Sequence, residues 1–458
     1  MNLRRALGIT ALLALATFAS RSGAQSPEAP SPDASQPDES ILGTVDVTGA
    51  AGSEYLPKLG VVPVISQSDA DTTLQLVVRG DLDRSGQFDV VSDDDVPSGI
   101  YLHDTPIDLK AWREQGIDTV VKLVAKQKEG GKFEFIATVW LASTGRTEPV
   151  FEQRWVTDKA KVRATAHRVS DALLAALTGR PGGFASRMIY SARVGKHSQV
   201  FTIDADGFDL RPASPAGHTA IVPSYGPGED VYYAISRDYG PFQLAKGRNA
   251  EIIPLGVPGS VMGLAFNADR TKLAVSVASR GGSRIYVGNA NGTGLSLFSD
   301  DVLANHPVFG PGGKLAYVAG GTAGQRVYVD GKAISPAGFN ASAPTFCDTP
   351  NGLMVVFSVA VGGGRTDLVA TNVRGGNLIR LTQNQGSNSY PACSPDGRLL
   401  AYFSTRKSDQ GPGLYVVPLA KPWRARKISS ELGESLRWDP LPPDPQAVAV
   451  EQTQAPSQ

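Results

Sequence analysis

Two places in this 458-residue chain bring titratable side chains to a spacing that could do chemistry. His167 and Asp171 stand four residues apart in a stretch of helical periodicity, which would put an imidazole and a carboxylate one turn apart on one face. A pair of that kind can relay a proton, but no nucleophile motif accompanies it, so packing or capping is the simpler expectation. Asp204-Ala205-Asp206-Gly207, with Asp209 beyond, opens like a calcium loop. It lacks the Glu that such a loop carries at its twelfth position, so a solvated hairpin turn is expected. The acidic run Asp93-Asp94-Asp95 reads as a solvated loop. G-x-S-x-G, H-E-x-x-H and C-x-x-C are absent and the five histidines are scattered, so no catalytic residue, metal site or cofactor is expected. The glycine clusters at Gly310, Gly312 and Gly313 and at Gly362-Gly363-Gly364 lack the strand–helix setting of a phosphate loop and read as hairpin turns.

The elements that would position any site follow from a repeat. Six times a short pattern recurs, small or polar residues and then a bulky one leading into a turn, centred on Tyr225, Phe266, Phe309, Phe346, Cys393 and Trp438. The intervals of 41, 43, 37, 47 and 45 residues are those of a four-stranded propeller blade. After each turn come β-branched and aromatic runs such as Leu315-Ala316-Tyr317-Val318 and Val327-Tyr328-Val329, bounded by Gly, Asn, Asp and Pro. The ends are complementary. Met188-Ile189-Tyr190 and Val200-Phe201-Thr202-Ile203 lack a leading anchor strand, while Leu436-Arg437-Trp438-Asp439-Pro440 is an anchor strand with nothing after it. Joining them closes a six-bladed ring and removes its open edges.

Ahead of the propeller, expected over 184–440, residues 41–180 read as a small α/β domain with an N-terminal arm. A strand is expected from Leu59 to Ile65 and a helix capped by Ser68 through Asp83. A short helix follows from Asp108, then strands at Thr119–Ala125, Phe133–Leu141 and Val150–Val156, and a helix from Asp158 to Thr178 stopped by Gly179. Residues 1–24 have the form of a cleavable signal peptide: Arg4 and Arg5, an apolar stretch from Ala6 to Ala19, and Ser22-Gly23-Ala24 before the cut. Residues 25–40 and 441–458 are polar, Pro- and Ser-rich, and expected to be disordered. Lys+Arg and Asp+Glu balance at 44 each, which excludes a nucleic-acid partner held by counterion release. No other apolar run approaches membrane length, so a soluble monomer outside the cytoplasm is expected, with no direct membrane insertion. Cys347 and Cys393 lie one residue out of phase in adjacent blades and should point to opposite faces, so two buried free thiols are expected rather than a disulfide.

Several spaced stretches together resemble the TolB family over nearly all of residues 39–443. They are Leu59-Gly60-Val61-Val62-Pro63; Asp81-Leu82 with Ser85-Gly86-Gln87-Phe88; Ala111-Trp112 followed by Gly116-Ile117-Asp118-Thr119-Val120-Val121; and Ala166-His167-Arg168-Val169-Ser170-Asp171. The junction Leu177-Thr178-Gly179 with Gly183-Phe184, Arg187 and Tyr190 completes the set. Only residues 394–397 keep that family's S-P-D-G turn intact. The resemblance implies a periplasmic, non-enzymatic adaptor of the Tol–Pal envelope system, serving outer-membrane integrity and envelope constriction in cell division. It also implies two partners, a Pal-type peptidoglycan-associated lipoprotein at the propeller mouth and TolA at the arm. A secreted propeller hydrolase or lyase, or a lectin-like binder, is the alternative.

Loops entering the innermost strands converge on one mouth of a propeller channel. Here they offer His218, Ser260, Asn305, His306, Ser342, Asn388, Ser389, Tyr390 and Glu434 as the expected lipoprotein contacts. His306 and Tyr390 stand out because each precedes a proline and so has a restricted backbone. In the arm, Ile41, Val45, Asp46 and Val47 keep an alternation suited to adding a strand to a partner's sheet.

Overall fold

A serine hydroxyl starts the first helix: Ser68 Oγ accepts the Asp71 amide at 3.2 Å, and helix α1 runs Asp69–Arg84. It follows strand β1 (Lys58–Val61) and precedes β2 (Asp89–Val90). Asp108 caps the short helix α2 (Leu109–Glu114). Then come β3 (Thr119–Gln127), β4 (Lys132–Leu141), β5 (Phe151–Asp158) and helix α3 (Val162–Thr178). Gly179 ends α3 at φ 76°, its amide donating to Ala175 O at 2.9 Å. This computed structural model describes residues 39–42, 56–321, 324–407 and 410–440.

The five strands form one sheet in the order β2-β1-β3-β4-β5, parallel around β1 and antiparallel from β3 onward. β1 is shorter than the sequence suggests, because Pro63 supplies no N–H to continue the ladder. Helices α1 and α3 lie together on one face of the sheet. Leu74, Val77, Val78 and Leu82 of the first pack with Ala166, Val169 and Leu173 of the second against Leu59, Val121 and Leu123.

Among the described residues, six four-stranded antiparallel sheets make up the propeller. The innermost strands of blades 1 to 5 are Thr219–Tyr225, Ser260–Phe266, Asn305–Phe309, Ala341–Thr349 and Asn388–Cys393. Blade 6 is built from both ends of the array. Its innermost strand Glu434–Pro440 pairs with Ser186–Val194, Trp438 opposite Met188, and the Trp438 indole donates to Ser186 Oγ at 2.6 Å.

The small domain and the propeller share one apolar cluster, which runs from Leu59 and Val78 through Phe184 and Met188 to Ala401, Val416 and Trp438. Polar contacts frame it. Arg398 donates to Thr178 Oγ1 at 2.7 Å, Lys421 to Gly86 O at 3.1 Å, and Arg426 pairs with Asp83. The one intact S-P-D-G turn, Ser394–Gly397, lies at this interface. A Cβ on Gly183 would come within 2.8 Å of Asp396, and one on Gly397, at φ 71°, within 2.0 Å of Asp348 O. The turn's sequence is held there by close backbone approach.

Cys347 and Cys393 form a disulfide, with Cα atoms 5.4 Å apart, which corrects the expectation of free thiols. The two cysteines do lie out of phase along their strands, and that is what lets them meet across adjacent blades. Cys347 shares its face of blade 4 with Val356, and Cys393 shares its face of blade 5 with Leu400 and Tyr402; these faces pack against each other. Val355 and Phe357 face blade 3 instead, and Ala392 and Ala401 face blade 6. Residues on opposite faces of neighbouring blades are the ones that meet.

Candidate partner-binding site

The innermost strands share a backbone irregularity near their entry. Each pairs with its neighbour through a register shift, and five of the six place a non-glycine residue at positive φ there: Val222, His306, Ala343, Tyr390 and Ser435. Left-handed conformations of this kind are costly for side chains with a Cβ and cluster where a fold re-aims a side chain. His306 and Tyr390 are therefore constrained as expected, but by a bulge that turns them left-handed rather than by the extended form a following proline favours.

These bulges bring side chains from non-adjacent blades together. His306 of blade 3 and Tyr390 of blade 5 meet edge to face, their ring centroids 6.4 Å apart. Arg437 of blade 6 donates to Pro307 O of blade 3 at 3.2 Å. Contacts between such blades are possible only near the axis, so the channel is bridged at this level. Gly263 of blade 2 leaves the room: a Cβ there would lie 2.8 Å from Pro307. Burial, and then Arg437, push His306 down to about 4, so it is neutral at physiological pH. Burial, and then Glu434, push the Tyr390 phenol up to about 12. Arg437 is lowered to about 10 by burial against the opposing pull of Asp439, and stays charged.

The other expected contacts are placed unevenly. Glu434 is exposed; His218, Ser260, Asn305, Ser342 and Ser389 are half-buried; Asn388 is fully buried. Ser260 Oγ accepts the Phe242 amide at 2.9 Å, so part of its capacity is already used. The buried oxygens of Asn305 and Asn388, Nδ1 of His306 and Nε of Arg437 have no protein partner. Groups of that kind call for water or an incoming partner. Sequence reasoning missed Arg437, whose only signal was a cation between Leu436 and Trp438 in the anchor strand.

Of the arm, Ile41 lies within the described residues, while Val45, Asp46 and Val47 lie outside them. Glu39–Leu42 forms a single 3-10 turn on the propeller, where disorder was expected up to residue 40. Leu42 is fully buried in a cluster with Phe339, Val359 and Val361. Glu39 accepts the Gly362 amide at 2.8 Å and pairs with Arg380 at 2.9 Å, and the amide first, then Arg380, hold its carboxyl below the usual range. Ile41 remains half exposed.

The pair singled out for chemistry is split between two structural duties. His167 Nδ1 lies 2.7 Å from Asp81 Oδ2, not against Asp171. Asp171 instead accepts the amides of Phe184 and Ala185, each at 2.8 Å, and so fixes the joint between the domains. Asp204 and Asp206 are buried rather than solvated, because Arg163 and Arg187 pair with them at the domain interface.

Residues 43–144 match the family model of the TolB amino-terminal domain. The chain is 28% identical over 183 residues to the Tol-Pal system protein TolB of Polaromonas naphthalenivorans, covering 40% of this chain and 41% of that one. It is 28% identical over 230 residues to the protein of the same name from Thiobacillus denitrificans, covering 50% and 48%. The chain thus spans less than half the length of the curated relatives it matches. The crystal structure of TolB from Acinetobacter baumannii superposes with a TM-score of 0.68 at 20% identity, over 84% of this chain and 97% of that one, a likeness of fold. The resemblance to TolB read from the sequence is therefore met in the amino-terminal domain and in the fold.

Proposed function

We propose, for a chain with a TolB amino-terminal domain ahead of a TolB-like propeller, that it is a component of the Tol–Pal system. In this reading it is a periplasmic, non-enzymatic adaptor. The propeller mouth binds a Pal-type lipoprotein, and the N-terminal arm binds TolA. The observation that carries the reading is the bulge-lined channel mouth. It gathers a neutral His306–Tyr390 pair and several buried polar atoms without a protein partner from different blades near the axis. Rigid aromatic groups set in a ring of hydrogen-bonding groups suit protein recognition. The arm suits a second partner because one short turn, anchored by Leu42 and Glu39, ties it to blades 3 and 4.

Titration calorimetry with the soluble domain of a Pal-type lipoprotein tests the mouth. Saturable one-to-one binding is the expected result. Absence of binding by the intact chain overturns the reading.

A further inference from the structure

The interface between the small domain and the propeller holds a charged cluster that neither the mouth nor the arm uses. His167 of α3 is at its centre and is buried. On one side, Asp81 Oδ2 of α1 lies 2.7 Å from Nδ1 and also accepts the Ser170 hydroxyl at 2.7 Å. On the other, Asp206 Oδ2 lies 3.6 Å from Nε2, which has no hydrogen-bond partner. Asp206 belongs to the turn after the blade 6 strand His197–Asp204. The remaining charges around the ring come from each packed element. Arg84 of α1 reaches Asp81 at 3.4 Å, and Arg163 of α3 pairs with Asp206 and lies 3.8 Å from Asp204. Arg187 of blade 6 holds Asp204 at 3.3 Å and Asp209 at 3.0 Å. Asp171 lies one turn further along α3.

The contact with Asp81 decides where the proton sits. A carboxylate only accepts, so a neutral ring must carry its hydrogen on Nδ1, and Nε2 then turns a lone pair toward a second carboxylate. In the imidazolium both nitrogens donate, and the ring joins Asp81 of one domain to Asp206 of the other. We infer that His167 is a protonation-dependent tie between the small domain and the propeller. Charged, it holds the joint closed; neutral, it opposes Asp206 and loosens it.

Burial works against the charge on His167, but Asp81, by its charge and its hydrogen bond, and then Asp206 and Asp204 outweigh it, so the pKa is raised. A raised histidine stabilises the folded interface most fully below its ordinary value of about 6.5. That contribution is lost as pH climbs through the raised value. The joint is thus tighter in acid and slacker in base. Asp171, pushed up to about 7 by burial, titrates nearby, so the test must separate the two.

The His167 ring resonance is followed by NMR from pH 5 to 9 in the full chain. Hydrogen-exchange protection of residues 159–187, corrected for intrinsic rates, is measured over the same range. Protection should fall as the ring loses its proton, in step with the titration of its resonance. His167→Gln should abolish that fall, since any residue of it would belong to Asp171. Asp206→Asn should lower the His167 midpoint and also flatten the protection profile. A His167 midpoint unmoved by Asp206→Asn, or wild-type protection flat from pH 6 to 9, overturns the inference.

Discussion

Neutral aromatic groups at a channel mouth make better anchors than charged ones, because they lose little on desolvation when a partner arrives. His306 and Tyr390 meet that condition, since burial holds His306 near 4 and Tyr390 near 12. Their left-handed backbones also leave little conformational freedom to lose on binding. Replacing both with Ala should weaken a Pal-type lipoprotein by about tenfold or more, the scale of a modest hot spot. Calorimetry on the double variant, with circular dichroism to check the fold, measures this; unchanged affinity in a folded variant would move the site elsewhere. The sequence pointed to these two residues by their prolines. It could not show their positive φ, because a bulge belongs to a strand pair rather than to a residue. His167 was likewise visible as a candidate, but its partner Asp81 is 86 residues away, and only the packing of α1 on α3 brings them together.

At the scale of the element, the blade is the legible unit. Its period stands out because every blade must supply four antiparallel strands joined by turns. The helices of the small domain were equally readable, through Ser68, Asp108 and Gly179 as caps. What stayed hidden lies between elements. The Cys347–Cys393 bond is an example, since it depends on how two blade faces stack. It closes a loop of 46 residues, and a crosslink of that size stabilises by about 2–4 kcal/mol, mainly by restricting the unfolded chain. Replacing both cysteines with Ser should lower unfolding stability by about that amount in urea titration. An unchanged midpoint would mean that blades 4 and 5 are held by their apolar contacts alone. The arm's single turn was hidden for the same reason: Leu42 finds its pocket more than 290 residues away, at Phe339, Val359 and Val361. Deleting residues 25–47 should abolish TolA binding and leave lipoprotein binding intact in paired pull-downs with purified partners. Loss of both, or of neither, would count against assigning the arm to TolA.

On the scale of the whole molecule, the ring stands or falls with its closure. The strand Glu434–Pro440 is the innermost member of blade 6 and, among the described residues, pairs only with Ser186–Val194. It carries Leu436 and Trp438 into the apolar cluster that joins both domains, and Trp438 donates to Ser186 beside the joint. Arg437 extends from the same strand across the channel to Pro307. Ending the chain after Gly433 would therefore remove three things together: a sheet edge, two large side chains of the shared core, and the bridge to blade 3. Burying a Leu or Trp side chain contributes roughly 2–3 kcal/mol each, a large part of the net stability of about 5–15 kcal/mol that folded proteins retain. The exposed edge of Ser186–Val194 would then be free to pair with other molecules, and the apolar face of blade 5 beside it would lose cover. Scanning calorimetry and light scattering on a 1–433 chain should show a lost or broadened cooperative transition and aggregation. If that chain unfolds at the same temperature and with the same enthalpy as the full one, the two ends do not hold the ring together.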